Sequence, residues 1–306
     1  MDYKTLIDAP TWAFIKATED AYPPDTASLA IAQQRTTYDQ MCRAFHRGYP
    51  EGVAAHDRAI AGVSCRVFAG AQPAVLYLHG GGFVVGGLES HDDICAEIRA
   101  VTGLTVVCAD YRLSPEHRHP AALDDAVAVA RALLEDGPIL IAGDSAGGNL
   151  AAATCHILRQ EPVQILGQVL IYPGLGGNID TGSYITHAEA PMLTRADVLF
   201  YSGIRHDGEH PANDPTVVPL HDTSFANLPA TVTFGAEYDP LCDDAATYAQ
   251  AIRAAGGRAR SFTEPGLVHG YLRARHTVPR AAASFARITA ALTALATGHW
   301  PYGDAP

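Results

Sequence analysis

Five short apolar runs constrain this chain more than any other feature: VLYLHGG at 75–81, TVVCADYR at 105–112, ILIAGDSAGG at 139–148, QVLIYPG at 168–174 and ATVTFGAEYDP at 230–240. Each ends in glycine, proline or aspartate. A strand with one wet face alternates polar and apolar side chains, so runs apolar on both faces belong to strands covered on both sides, as in a parallel sheet. Between them lie segments of helical spacing at 91–101, 121–135, 146–159, 243–255 and 279–296. This β-α-β-α alternation predicts an α/β chain built on a mostly parallel, doubly wound sheet flanked by helices.

Two regions break the rhythm. Residues 1–50 carry helical spacing interrupted at Pro23-Pro24 and closed by Gly48-Tyr49-Pro50, which predicts two helices before the sheet. Residues 175–228 hold GLGGNIDTGSY, a helical stretch at 195–205 and a proline-rich run at Pro211, Pro215 and Pro219, with no clear strand. An insertion of that size between sheet strands is usually a cap over their carboxyl ends, where open α/β sheets bind ligands. The expected division is a helical cap segment at 1–50, core at 51–174, a cap insertion at 175–228 and core again at 229–306. A chain of 306 residues is long enough for one such core with a lid.

Charge narrows the partners. Thirty-three acidic against 21 basic side chains leave a net charge of −12, the wrong sign for wrapping nucleic acid or docking on anionic lipid. We therefore expect a small neutral or apolar substrate, no nucleic-acid partner and no stable membrane association. The only lysines are Lys4 and Lys16, so a phosphate-loop lysine, a Ser-x-x-Lys nucleophile and an internal Schiff base are all disfavoured. The six cysteines show no C-x-x-C spacing, which signals neither a metal knuckle nor a redox pair, and H-E-x-x-H is absent. No metal and no cofactor are expected. The N-terminus lacks a basic then apolar leader pattern, and no apolar stretch approaches membrane length, which predicts a cytoplasmic protein.

Three constellations carry chemistry. Gly143-Asp144-Ser145-Ala146-Gly147 sits between an apolar run and a helical segment. At such a strand-to-helix bend flanking glycines relieve clashes, the serine hydroxyl is exposed, and the helix amides face the reacting centre. A serine needs a base and the base an orienting acid, in sheet hydrolases in the order Ser, Asp or Glu, His. Asp239 after TVTFGAEY and His269 after ARSFTEPGLV satisfy that order, with room for one helix and one strand between them. Glu237, Asp243 and Asp244 rival the acid; His187, His206, His210, His221 and His276 rival the base. The third constellation, His79-Gly80-Gly81-Gly82-Phe83, offers free backbone amides, two of which with that of Ala146 can bind an oxyanion. Its glycines fail the G-x-G-x-x-G spacing of dinucleotide binding. His79 is expected to orient this loop, and Tyr111, Arg112 and Glu116 to serve as ion pair or turn anchor.

Together these pieces closely resemble the bacterial hormone-sensitive-lipase-like (family IV) esterases of the α/β-hydrolase fold superfamily. The likeness spans most of residues 75–275: HGGGF at 79–83, YRLSPEHRHPAALDD at 111–125, GDSAGGN at 143–149, AEYDPLCDD at 236–244 and HGY at 269–271. The resemblance implies Ser145 as nucleophile, Asp239 as acid, His269 as base and Gly80, Gly81, Gly82 and Ala146 as oxyanion hole. It also implies a helical cap over the strands' C-terminal edge and hydrolysis of short-chain carboxylic esters through an acyl-enzyme, without cofactor. Phe83 and Tyr201 are candidate pocket residues, although the stripe Phe200, Tyr201, Ile204 reads more readily as core. The chain departs from the family at Ser114, Val218, Cys242 and Asp244-Ala245, none of them in the triad. The resemblance allows a homodimer through ARSFTE at 259–264 and equally a monomer. An amidase or lactonase would use the same groups. A non-catalytic receptor, as in the plant gibberellin receptors of similar sequence, has lost the histidine that this chain keeps.

Overall fold

The computed structural model describes residues 1–23, 26, 28–206 and 214–303; Pro24, His210 and Pro211 lie outside them. Eight strands form one sheet: β1 Ala55–Ile60, β2 Val63–Phe68, β3 Ala71–Leu78, β4 Leu104–Ala109, β5 Ile139–Asp144, β6 Ile165–Ile171, β7 Ala230–Tyr238 and β8 Ala259–Val268. Their spatial order is β1-β2-β4-β3-β5-β6-β7-β8. From β4 to β8 all neighbours are parallel.

The apolar runs become the central strands because both of their faces are covered. Val75 and Tyr77 join one core layer with Ile94 and Ile98 of α4 (Asp92–Thr102) and Ile288 and Leu292 of α10 (Pro279–Ala296). Leu76 and Leu78 join the opposite layer with α5 (Ala121–Glu135), α6 (Ala146–Leu158) and α9 (Cys242–Ala254). Each large apolar side chain so buried contributes about 1.5–3 kcal/mol relative to exposure. The observed helices match the expected segments to within a residue at their ends.

The hairpin β1–β2 was not foreseen. The strand AHDRAI is polar and largely exposed at the sheet margin, so it carries no buried-strand pattern. What makes it a strand is pairing: Ile60 faces Val63 across Ala61-Gly62, and both turn residues have positive φ, 50° and 84°. Such a two-residue turn matches the twist of antiparallel strands. β2 then pairs antiparallel with β4.

Before the sheet the described residues form three α-helices rather than the expected two helices: α1 Tyr3–Leu6, α2 Ala9–Ala21 and α3 Ile31–Phe45. The extra break at Ile7-Asp8 follows from Asp8 capping α2, its carboxylate accepting from Thr11 N at 3.0 Å. Arg35 ties α3 to the core, donating to Val84 O at 2.8 Å and pairing with Glu116 at 2.7 Å. Glu116 thus anchors a helix, Arg112 pairs with Asp125 at 2.8 Å, and Tyr111 donates to the His79 carbonyl at 2.6 Å. In the 175–228 region no described residue forms a strand; its described helices are α7 Ser183–Thr186, α8 Arg195–His206 and a 3-10 turn at Pro219–His221. Among the described residues no helix is long and apolar enough to cross a membrane.

Candidate active site

The β5-to-α6 turn holds Ser145 at φ 54° and ψ −118°, a backbone conformation that costs a residue with a Cβ about 1–3 kcal/mol. Tight packing imposes it. A Cβ on Gly147 would run into the Leu78 carbonyl, and one on Gly143 into the carbonyl of Gly147, so both glycines let α6 lie against β3. Ser145 Oγ is 2.9 Å from His269 Nε2, and His269 Nδ1 is 2.7 Å from Asp239 Oδ2. Asp239 is fully buried, and its other oxygen accepts from Leu241 N at 2.9 Å. The ring of Tyr172 meets that of His269 edge-on at 4.8 Å. Three side chains distant in sequence thus form one hydrogen-bonded row, because β5, β7 and β8 run parallel and end at the same edge.

The rival acids are engaged elsewhere. Glu237 accepts from Gly266 N at 2.6 Å, and Asp243 from Ser183 N at 2.8 Å. Asp244 accepts from Leu175 N at 2.6 Å and Gly176 N at 3.1 Å, and burial pushes its carboxyl up to about 7 against those bonds. Of the rival histidines, His187 meets Tyr3 and His276 pairs with Glu97. Asp93, Glu97 and His276 converge closely enough to hold a cation, yet the guanidinium of Arg275 already bridges the two carboxylates.

The glycine loop is not uniform. Gly80 N donates to Asp144 Oδ1 at 3.0 Å, so of the nominated amides this one is already committed. Among the described residues the amides of Gly81, Gly82 and Ala146 have no partner within the chain. Gly81 and Gly82 have φ of 128° and 60°, which a residue with a Cβ rarely adopts. The loop is braced from beneath by His79, stacked on Tyr111 with centroids 4.2 Å apart. Burial, then the neighbouring His91, pulls the His79 pKa down to about 3, so its ring is neutral and Nδ1–H donates to the Gly80 carbonyl at 2.9 Å.

Sequence reasoning missed Asp144 as the hub of this loop. It accepts from Tyr77 at 2.9 Å and pairs with His91 at 3.1 Å. Burial alone would raise the Asp144 carboxyl, but His91 and Tyr77 hold it down at about 2. Its adjacency to the serine was the available signal; the partners come from β3 and the start of α4. With the folded pKa at about 2 against the ordinary 3.8, its stabilising contribution is complete above about pH 4 and is lost as pH falls toward 2. Urea unfolding should show wild type losing about 2 kcal/mol more than Asp144→Asn between roughly pH 5 and pH 2. Parallel acid limbs for the two proteins would contradict this.

Two cavities meet at Ser145. The larger, about 620 Å³, is lined by Phe83, Asn149, Leu199, Arg205 and Val217 among others. The smaller, about 190 Å³, is lined by Tyr22, Tyr38, His269 and Arg273. Gly82, Ser145, Leu193 and Tyr201 line both. Tyr201 comes from α8 and stands against Gly82, where a Cβ would be 2.6 Å from its ring. The stripe on α8 divides: Tyr201 lines the cavities, whereas Phe200 is 42% exposed and belongs to no core.

A strained strand-to-helix serine, hydrogen-bonded to a His–Asp pair at the carboxyl edge of a mostly parallel sheet, defines the class of the α/β hydrolases. A family profile described as alpha/beta hydrolase fold matches residues 75–273. Carboxylesterase NlhH of Mycobacterium tuberculosis is 36% identical over 233 residues, 72% of this chain and 73% of that protein. Ethyl acetate hydrolase of Pseudomonas putida is 33% identical, covering 66% of this chain and 67% of the relative. Among solved structures, DphMB1 superposes with a TM-score of 0.84 at 33% identity, covering 96% of this chain and 99% of the other. The esterase of Pyrobaculum calidifontis gives 0.82 at 29% identity, covering 93% and 98%. The chain belongs to the α/β-hydrolase family, among its carboxylic ester hydrolases.

Proposed function

We propose that this chain hydrolyses small carboxylic esters by a two-step acyl transfer, with Ser145 as nucleophile, His269 as general base and acid, and Asp239 as orienting acid. The observation that carries the reading is the continuous row Asp239 Oδ2–His269 Nδ1 at 2.7 Å and His269 Nε2–Ser145 Oγ at 2.9 Å. His269 takes the hydroxyl proton as Oγ attacks the ester carbonyl carbon. The tetrahedral oxyanion is held by the amides of Gly81, Gly82 and Ala146, with Gly80 serving instead to fasten the loop to Asp144. Each such donor contributes about 3 kcal/mol in the transition state. The carbon–oxygen bond to the alcohol breaks, and His269 protonates the departing oxygen. Water then repeats the sequence on the acyl-serine and releases the acid. Asp239 holds the histidine tautomer and stabilises the imidazolium.

The helices of residues 1–50 and α8 act in this reading as a cap; Tyr22, Tyr38 and Tyr201 close the cavity wall above Ser145. Short acyl groups are supported by the names of relatives, among them an acetyl esterase of Salmonella choleraesuis, 32% identical over 212 residues. Rates across p-nitrophenyl esters from acetate to decanoate test that part, with the maximum expected at the short end. A stopped-flow burst of about one p-nitrophenol per protein with the acetate tests the acyl-enzyme; a turnover without any burst under slow deacylation, or no turnover, counts against it. β8 ends the sheet, and light scattering would read a dimer formed through it.

A further inference from the structure

The smaller cavity contains a guanidinium that has no salt-bridge partner among the described residues. Arg273 follows the HGY motif and lines that cavity together with Ser145 and His269. Among the described residues its guanidinium has no carboxylate within salt-bridge distance and no hydrogen bond, and its Nε is buried without a partner. Its closest aromatic company is the ring of Tyr38, 6.0 Å away and at the limit of a cation–π contact. Of the carboxylates lining the cavity, Asp144 is consumed by His91 and Tyr77, and the exposed Glu19 on the rim forms no ion pair with Arg273.

The arginine of the larger cavity also lacks a salt bridge among the described residues, and its Nη2 is buried without a partner, but its other donors are engaged. Arg205 donates to Asn149 Oδ1 and to Val217 O, both at 3.2 Å, and lies 3.8 Å over Phe83, so it serves to lock α8 onto the core. Arg273 has no such structural employment. A guanidinium taken out of bulk water and left unpaired is costly, and its planar fork of donors matches a carboxylate.

We propose that Arg273 is a substrate-binding residue that recognises a carboxylate on the alcohol half of the ester, making acidic esters the preferred substrate class. The inference rests on the serine-hydrolase reading above. The alcohol half is singled out because the base must protonate the departing oxygen, and His269 lines the smaller cavity and not the larger. The overall charge of −12 does not oppose it, since exposed charges beyond about 8 Å are screened at physiological salt whereas a contact pair is not.

The test compares kcat/KM for 4-acetoxybenzoate with that for its methyl ester, each divided by its rate of hydroxide hydrolysis so that the greater acidity of the neutral leaving phenol cancels. Wild type should favour the anion, and in Arg273→Gln the ratio of anionic to neutral substrate should fall by about tenfold or more, the size of one charge-assisted contact. Arg273→Lys should retain part of the preference. Should the glutamine variant fail to fold, inhibition of wild type by 4-hydroxybenzoate against its methyl ester gives the same comparison. An unchanged ratio in a folded Arg273→Gln overturns the proposal, as does a charge preference confined to an acyl-side acid such as mono-4-nitrophenyl succinate. Ser145→Ala separates the two levels. Persistent turnover of the neutral ester in that variant sinks the hydrolase reading, whereas loss of turnover with a wild-type ratio near one sinks the anion site alone.

Discussion

Ser145→Ala is expected to lower kcat for p-nitrophenyl acetate by about 10⁶-fold while the protein stays folded. The hydroxyl is the proposed attacking atom, 2.9 Å from its base, and no other described hydroxyl shares that contact. Alanine keeps the Cβ that already occupies φ 54°, so the strain of the turn is neither relieved nor increased, and thermal unfolding should change little. His269→Ala should cost about as much, and the double variant hardly more, because the two groups act as one unit. Asp239→Asn keeps the shape of the buried site but favours the wrong tautomer of His269, which should cost about 10⁴-fold. Steady-state rates at equal concentrations of folded protein measure all four. A Ser145→Ala protein within tenfold of wild type would contradict the assignment.

The second large effect is expected at Gly81→Ala. A methyl there meets the carbonyl of Val85, which is backbone and cannot swing aside, and φ of 128° is closed to alanine. The loop must shift, and the amides of Gly81 and Gly82 leave the position proposed for the oxyanion. Loss of one such donor lowers kcat by about 10²–10³-fold, so a fall of at least about 100-fold with little change in KM is expected. Gly87→Ala, on the same loop but with ordinary backbone, is the control: its Cβ would lie 3.1 Å from the Asp110 carboxylate, a neighbour able to move. Comparable losses in the two variants would show that the loop tolerates no methyl anywhere, and would remove the case for a specific oxyanion role.

Much of the architecture was legible because it follows from local rules. A strand buried on both faces is apolar at most positions, and β3 through β7 announce themselves in that way, the buried Gln168, Thr231 and Thr233 being satisfied by hydrogen bonds. Helices α5 and α10 begin and end where spacing alone places them. The β1–β2 hairpin was not legible, since its margin strand is solvated and only pairing to a neighbour makes it a strand. The break between α1 and α2 likewise depends on one side-chain cap, a detail below the resolution of periodicity.

The candidate site divides along the same line. Ser145, Asp239, His269 and the glycine loop could be nominated from the chain because the chemistry demands those residue types in that order at strand ends. The sequence by itself therefore determined the fold class and the family, and nominated the proposed reactive groups. Only the tertiary structure decided which amides remain free, since Gly80 is spent on a carboxylate 64 positions away. It alone united Asp144 with His91 and Tyr77, and left Arg273 without a salt bridge among the described residues in a cavity that reaches Ser145. The reason is physical: periodicity and motif record what a residue does to its neighbours in the chain, whereas pairing, cavity shape and the neutralisation of charge are set by elements that meet only after the sheet has closed.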